Sequence, residues 1–497
     1  MSVNMSEQAT GTVDEQVDVP HHREVFLAGR WQKPRGAAVL LDVVSPHTGE
    51  VVCALPDASL EDAAYAVERA RAAFDQGEWP RMTVAQRLEA TTRFRDGLAA
   101  MDGFERAWAI SGGMPMQTVK AMYALSMFGI DDVLELAREI PLSEIRETRG
   151  GRVEVRHEPL GPVLAILTYN GPLAELGMSV FPALLTGNPV VVKLPPENRL
   201  IGHFMAEAAA QAGFPEGVLS IITAGTEVSK YLVAHPGIDA VHFTGGSAVG
   251  AEVGAVCAQR MARVTLELGG KSAAIVADDV DMDEAVPKLV SSMTAYMGQV
   301  CVTTSRILVS RKRHDELVGK LSKALAAMRI GPPLDPDTEF GPMISERVRA
   351  RSEGFIERAV AAGAKIATGG KRPAGFDQGF YIEPTLLVNV SNDMEIAQEE
   401  VFGPVYCVIP YDDIDDAVRI ANDSRFGLYG TVLTNDEELA HDVAYRVRSG
   451  SFGIGGAFPV LIAPYGGMKQ SGWGYVGSRE GYLALTNIKS VVLPVAA

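Results

Sequence analysis

Three side chains of this 497-residue chain have the chemistry to process a carbonyl together: Asn170, Glu267 and Cys301. A cysteine thiolate is a strong nucleophile, a carboxylate takes a proton from water, and an asparagine amide donates to a developing oxyanion. Cys301 closes the run Gly298-Gln299-Val300-Cys301. Glu267 stands 34 residues earlier, in Leu266-Glu267-Leu268-Gly269-Gly270-Lys271, and Asn170 ends Leu167-Thr168-Tyr169-Asn170. Attack by sulfur, followed by release with an activated water, needs these three roles. Taken singly, each residue has a plainer reading. Cys301 suits a small buried hydrophobe, Glu267 a carboxylate at a strand or helix end, and Asn170 a turn.

A second group suits an anionic ligand. Phe243-Thr244-Gly245-Gly246-Ser247-Ala248-Val249-Gly250 reads as a strand, a glycine turn and a helix start. Free backbone N–H groups at that helix end favour a phosphate. The run does not match G-x-G-x-x-G, so an ordinary strand-to-helix turn explains it equally well. Lys193 ends the apolar run Val190-Val191-Val192-Lys193, a position where ligands reach open α/β sheets.

These residues need a scaffold of more than one unit, since 497 residues exceed a single compact core. Residues 1–22 are polar and acidic and read as a mobile tail, followed by a small β-meander over Val25–Val52. Ser59-Leu60-Glu61-Asp62 and Thr83-Val84-Ala85-Gln86 have the form of capping boxes, so each predicts a helix start. More helix is predicted over Phe104–Glu139. From Leu160 onward short apolar runs alternate with helical stretches: Val163–Leu167, Val190–Lys193, Val218–Ile222 and Ala240–Phe243, then Ala273–Val276, Ser305–Val309 and Val405–Ile409. Such alternation predicts parallel strands covered on both faces. The expected fold class is α/β, with two units meeting near Gly269-Gly270.

The net charge of −17 argues against a nucleic-acid or anionic-membrane partner, and the basic run Arg311–His314 reads as a solvated turn before a helix. Four cysteines, at 53, 257, 301 and 407, form no C-x-x-C pair, so neither a disulfide scaffold nor a cysteine metal site is expected. The start has no basic-then-apolar leader, and no apolar run approaches the ~20 residues that span a bilayer. A cytoplasmic location follows as the expectation.

From about residue 24 to the C-terminus the chain resembles the aldehyde dehydrogenase superfamily. The matching words are FTGGS at Phe243–Ser247, LELGGKS at Leu266–Ser272, GQVC at Gly298–Cys301, EEVFGPV at Glu399–Val405 and PYGGMK at Pro464–Lys469, with Ser471-Gly472 after them. The resemblance implies a Rossmann-like cofactor domain over 23–140 and 160–269 and a catalytic α/β domain over 270–474. It adds a small β oligomerisation extension from 141–159 and 475–497, hence a homodimer or tetramer. It also implies attack by Cys301 to give a thiohemiacetal, an oxyanion held by the Asn170 amide and the Cys301 N–H, hydride transfer to the nicotinamide, and hydrolysis of the thioester by Glu267-activated water. Lys193 would meet the adenine-side ribose, Gly245 and Ser247 the pyrophosphate, and Glu400 and Phe402 the nicotinamide ribose and ring. Tyr169 and Leu268 join this cofactor set.

Several positions depart from the family pattern. No carboxylate stands at Pro196, three residues after Lys193, so NAD is expected with NADP left open. Thr168-Tyr169 replaces Pro-Trp before the asparagine, and Gly246 and Ala248 replace a serine and an acidic residue. Tyr475-Val476 and Asn487 fall where an Arg-Glu pair and an acidic residue are usual, which would remove an ion pair between subunits and a second carboxylate near the catalytic water. Small residues at Gly171 and Ala295, with Met114, Met116, Met178 and Phe458, point to a roomy apolar entrance and a medium or bulky hydrophobic aldehyde. Val300, Val302 and Tyr465 belong to the same expected pocket, and Glu175 would face it and disfavour anionic substrates. Two other readings stay open: an acylating relative that hands its product to coenzyme A, and a cofactor-binding scaffold without turnover.

Overall fold

Strand β1 (Val25–Leu27) turns through Ala28-Gly29 into β2 (Arg30–Gln32), both turn residues having positive φ (55° and 88°). That two-residue geometry matches the twist of paired strands. A separate ribbon follows, β3 (Leu40–Val44) against β4 (Val51–Pro56). The expected single meander is therefore two hairpins, because β1 leaves for a larger sheet in which Phe26 pairs with Ile221. The structure, a computed structural model, describes residues 15, 17, 19–36, 39–458 and 463–494. Of the tail expected over 1–22, residues 1–14, 16 and 18 lie outside the described residues. Its last residues are packed rather than free: Val19 is buried and the His21 ring stacks on Trp31 at 5.1 Å.

Helices α1 (Leu60–Asp75) and α2 (Val84–Ala99) both start with the reciprocal bonds of a capping box. The Ser59 Oγ accepts the Asp62 N–H at 3.0 Å while Asp62 accepts the Ser59 N–H at 3.0 Å. The helix predicted over Phe104–Glu139 is split into α3 (Phe104–Gly112) and α4 (Met116–Glu139). Gly113, at φ 73°, ends the first, and Pro115 opens the second. Met114, between them, is fully buried core and not part of an entrance.

Strands β5 (Ser143–Thr148) and β6 (Gly151–Pro159) form a hairpin. Then come β7 (Val163–Ile166), the four-residue helix α5 (Pro172–Glu175), a π-helical turn at Leu176–Val180 and α6 (Phe181–Leu185). Next are β8 (Val190–Leu194), α7 (Arg199–Gln211), β9 (Leu219–Thr223), α8 (Thr226–Ala234), β10 (Ala240–Thr244), α9 (Ser247–Gln259) and β11 (Arg263–Glu267). After four residues the chain starts a second sheet with β12 (Ser272–Val276), followed by α10 (Met282–Thr294), β13 (Thr304–Ser310), α11 (His314–Ala326) and α12 (Glu346–Ala361). The remaining strands are β14 (Lys365–Thr368), β15 (Thr385–Val388), β16 (Val405–Tyr411), β17 (Phe426–Gly427), β18 (Tyr429–Leu433), β19 (Ser451–Ile454), β20 (Met468–Lys469), β21 (Gly472–Trp473) and β22 (Thr486–Val492).

The first sheet has the order β2-β1-β9-β8-β7-β10-β11-β21 and the second β14-β15-β16-β13-β12-β18-β19. The neighbours β9, β8, β7, β10 and β11 run parallel, and every residue of β7 and β8 is buried. Burial on both faces is why these strands are continuous apolar runs without alternation. The molecule is thus α/β, with the two sheets joined at Leu268–Lys271 as expected. A three-stranded sheet, β22-β6-β5, stands apart. One strand crosses the anticipated division between the units: β21, within the expected 270–474 segment, pairs antiparallel with β11, Glu267 opposite Gly472. Its backbone completes the edge of the first sheet, although the sequence around it belongs to the second half of the chain.

Candidate active site

The parallel strands deliver their C-terminal residues to one edge. Thr244 and Glu267 are register partners, and Lys193 pairs with Ile166 one strand over. Glu267 is buried, and neither carboxylate oxygen has a hydrogen-bond partner among the described residues. Burial raises its pKa well above the usual carboxylate range, and the nearby charge of Glu175 adds to the rise. A buried, unpartnered carboxylate of raised pKa is a strong proton acceptor once ionised. Asn170, in the turn after β7, is buried, and its amide makes no hydrogen bond among the described residues.

Cys301 is carried in from the second half of the chain. Before it lies a tight turn in which Tyr296 (φ 44°), Met297 (φ 52°) and Gly298 (φ 73°) are all left-handed. Such strain costs roughly 1–3 kcal/mol at each non-glycine residue and persists only where the surroundings enforce it. Here the fully buried Tyr296 donates its hydroxyl to the Gly112 carbonyl at 2.9 Å and fixes the turn. The glycines of Leu268-Gly269-Gly270 then allow close packing. A Cβ on Gly270 would lie 2.6 Å from the Cys301 carbonyl oxygen, and one on Gly269 would strike the Glu400 carboxylate. Burial pushes the Cys301 thiol up to about 12; the Tyr465 hydroxyl, 3.5 Å from Sγ, acts in the opposite direction.

The coenzyme group forms the other side. Lys193 is buried at the end of β8, and burial lowers its ammonium to about 8. Glu400 Oε1 accepts the Gly270 N–H at 3.0 Å, with burial holding the carboxyl up at about 7. Phe402, at φ 58°, sits edge-on to Tyr169 at 5.8 Å. At the start of α9 the N-cap residue is Gly246, which offers no side-chain cap, and Ser247 donates its hydroxyl to the Gln470 carbonyl at 3.0 Å. The uncapped N–H groups of this helix beside Gly245, the buried Lys193 and the half-buried Glu400 carboxylate fit a dinucleotide with its pyrophosphate at the helix end. The Leu268 side chain is taken into the core beneath Gly250, where a glycine leaves it room.

On the aldehyde side Val302, Tyr465, Tyr429, Leu428 and Val476 form one apolar cluster, with Met178, Val300 and Cys301 packed against it. Phe458 is largely exposed at the margin, its ring 6.3 Å from Tyr429. A Cβ on Gly171 would meet nothing within 4 Å, so that position is open. Ala295 opens the strained turn and is absent from this cluster. Glu175 does not face an entrance. It is buried and accepts the Thr168 N–H at 2.8 Å and the Thr168 hydroxyl, with burial raising it to about 7.

Three contributions escaped the sequence reading. Glu197, one residue beyond Pro196, lies near enough to Lys193 to oppose the lowering of its pKa, and it pairs with Arg347 at 3.2 Å. Arg351 donates to the carbonyls of Glu400 (2.6 Å) and Val401 (3.0 Å), fixing the loop that presents Glu400. Ser471 donates to the Gly269 carbonyl at 2.7 Å and accepts the Gly427 N–H at 2.9 Å, tying the crossover between sheets to the C-terminal segment. Each contact joins residues far apart in the chain, where no local signal exists.

A thiol in the turn before β13, within electrostatic reach of Glu267 and Glu400, suits covalent chemistry on a carbonyl. The sequence profile described as "Aldehyde dehydrogenase family" matches residues 31–491, and the chain belongs to that family, whose members are aldehyde-oxidising oxidoreductases. It is 36% identical over 477 residues to a geranial dehydrogenase of Castellaniella defragrans, spanning 95% of this chain and 99% of that protein. It is 35% identical to a 3-succinoylsemialdehyde-pyridine dehydrogenase of a Pseudomonas species, over 95% of this chain and 98% of that one. The crystal structure of a Mycobacterium tuberculosis aldehyde dehydrogenase complexed with NAD+ superposes with a TM-score of 0.93 at 40% identity, covering 96% of this chain and 99% of that one.

Proposed function

We propose that this enzyme oxidises a medium or bulky hydrophobic aldehyde to its carboxylic acid, with NAD as the coenzyme and Cys301, Glu267 and Asn170 as the catalytic residues. The observation that carries the reading is proximity: the Cys301 thiol lies within electrostatic reach of Glu267, whose carboxylate is buried without a hydrogen-bond partner among the described residues. NAD, when bound, supplies the hydride acceptor. Lys193, Gly245, Ser247, Tyr169, Glu400 and Phe402 hold it, and the crystal structure with NAD+ supports the assignment.

The thiol gives its proton to solvent water and Sγ attacks the carbonyl carbon, the C=O π bond opening to a thiohemiacetal oxyanion that accepts from the Asn170 amide and the Cys301 N–H. After oxidation the acyl group remains on Sγ as a thioester. Glu267 takes a proton from water, the resulting hydroxide adds to the thioester, and the C–S bond breaks to return the sulfur and release the acid. Presence of the Glu267 base favours water over coenzyme A as acyl acceptor. The open position at Gly171 and the apolar cluster around Val302 and Tyr465 support a bulky apolar substrate, as does similarity to a geranial dehydrogenase.

The domain assignment goes with this reading: 23–140 and 160–269 bind the coenzyme, 270–474 carry the nucleophile, and 141–159 with 475–497 assemble subunits. Ile488 (69% exposed) and Val492 (77%) on β22, with Ile145 on β5, support burial of this small sheet against another copy, as a homodimer or tetramer. Sedimentation as a monomer at micromolar concentration would exclude it. No helix among the described residues is long and apolar enough to cross a membrane, and four free cysteines suit the reducing cytoplasm.

A panel of aldehydes assayed with NAD and with NADP tests the function. Hydrophobic aldehydes should give a burst of NADH followed by steady turnover, and Cys301→Ala should give neither. Strong preference for a short charged semialdehyde would overturn the substrate class; turnover by Cys301→Ala would overturn the nucleophile.

A further inference from the structure

We propose that the Tyr465 hydroxyl is a catalytic hydrogen-bond donor to the Cys301 sulfur, stabilising the thiolate as it forms for attack and again as the thioester breaks. The inference rests on Cys301 being the nucleophile. The phenolic oxygen lies 3.5 Å from Sγ, a contact spanning 164 residues of sequence, and among the described residues the sulfur is the hydroxyl's hydrogen-bond partner. Tyr465 is 8% exposed and its ring is packed among Val302, Leu428, Tyr429 and Val476. Its backbone is fixed as well, donating to Val476 O at 2.8 Å and accepting from Val476 N at 2.7 Å. The hydroxyl is built into this position rather than swinging through it.

The physical consequence depends on the state of the sulfur. A thiol is both a weak donor and a weak acceptor, so its bond to a phenol is weak whichever atom donates. Once the proton has left, Sγ can only accept, and the bond becomes a charge-assisted one of about twice the strength. The contact therefore stabilises the nucleophile more than its resting thiol. Tyr465 keeps its own proton throughout; burial holds the phenol well above its usual range, so it donates without titrating. The other titratable groups acting on the sulfur are the carboxylates Glu400, Glu267 and Glu175, and all three oppose ionisation. Tyr465 is the contact that favours it.

The test uses the full-length enzyme and Tyr465→Phe, which keeps the ring and removes one oxygen. Alkylation of Cys301 by iodoacetamide is followed across pH without aldehyde or coenzyme, with the labelled site located by mass spectrometry. We expect alkylation of the variant to be approximately tenfold slower at neutral pH, its rate rising with pH along a profile displaced upward by about one unit, with unchanged thermal stability. The NADH burst should slow by a similar factor. A variant whose alkylation profile matches the parent overturns the proposal. Because alkylation reports on the sulfur regardless of turnover, a shifted profile alongside an active Cys301→Ala enzyme would instead sink the nucleophile assignment.

Discussion

Glu175 accepts the backbone N–H of Thr168 at 2.8 Å and, through its other oxygen, the Thr168 hydroxyl. One carboxylate thereby closes the Thr168–Glu175 loop that contains Asn170, fixing the amide without touching it. Glu175→Gln keeps an acceptor for the N–H and should alter stability little. Glu175→Ala strands that N–H in a buried place and should cost about 1–3 kcal/mol, lowering the melting temperature and kcat together. Equal melting temperatures for the two variants would contradict this account.

Glu175 also makes stability depend on pH. Its carboxyl is raised to about 7 in the folded protein, from an ordinary value of 4.5. The folded state therefore binds its proton more tightly than the unfolded chain does. Stability from this group is fully present below pH about 4.5 and is lost as pH rises through about 7. Melting temperature should fall between pH 5 and pH 8, and Glu175→Gln should fall less over that interval.

Glu267 sets a second pH dependence, this one in the rate. Only its ionised form removes a proton from water, and both burial and the Glu175 charge raise its pKa. Thioester hydrolysis should accelerate with rising pH, with a midpoint above the normal carboxylate range. Glu267→Gln should leave the NADH burst in place while steady-state turnover falls and its pH dependence flattens. If both phases survive that change intact, the carboxylate is not the base.

Removing the Asn170 amide should weaken the attack step itself. Asn170→Ala deletes one oxyanion donor, which typically costs about 2.7–4 kcal/mol of barrier stabilisation, or 10²–10³ in kcat. Single-turnover measurements should place the loss in the burst phase. A burst that persists at the parental rate would remove the amide from the mechanism.

Coenzyme choice should respond to Glu197. Its carboxylate lies close enough to Lys193 to influence it, although the sequence pattern placed no acid there. A 2′-phosphate in this vicinity would meet a negative charge. Glu197→Gln should therefore raise kcat/KM for NADP relative to NAD, on the order of tenfold for a close charge pair. An unchanged ratio would show that the two coenzymes are distinguished elsewhere.

What the sequence revealed follows the range of its signals. Ser59 with Asp62, and Thr83 with Gln86, are three residues apart and announced their helix starts correctly. The wholly buried strands were visible as apolar runs. Gly113 and Pro115 did signal a break between α3 and α4, but the apolar rhythm on either side hid it. Local pattern also cannot tell which way a side chain points. Glu175 was assigned to the entrance and is buried and bonded to Thr168. Contacts such as Tyr465 with Cys301, or Gly472 with Glu267, exist only after distant segments have met.

The meeting of Glu400 with Gly269, and of Cys301 with Gly270, also limits how this gene can drift. Every missense codon at either position adds at least a β-carbon, and there it would displace an acid or the nucleophile's own carbonyl. Those two bare backbone positions leave no latitude: the cleft owes its shape there to the absence of a side chain.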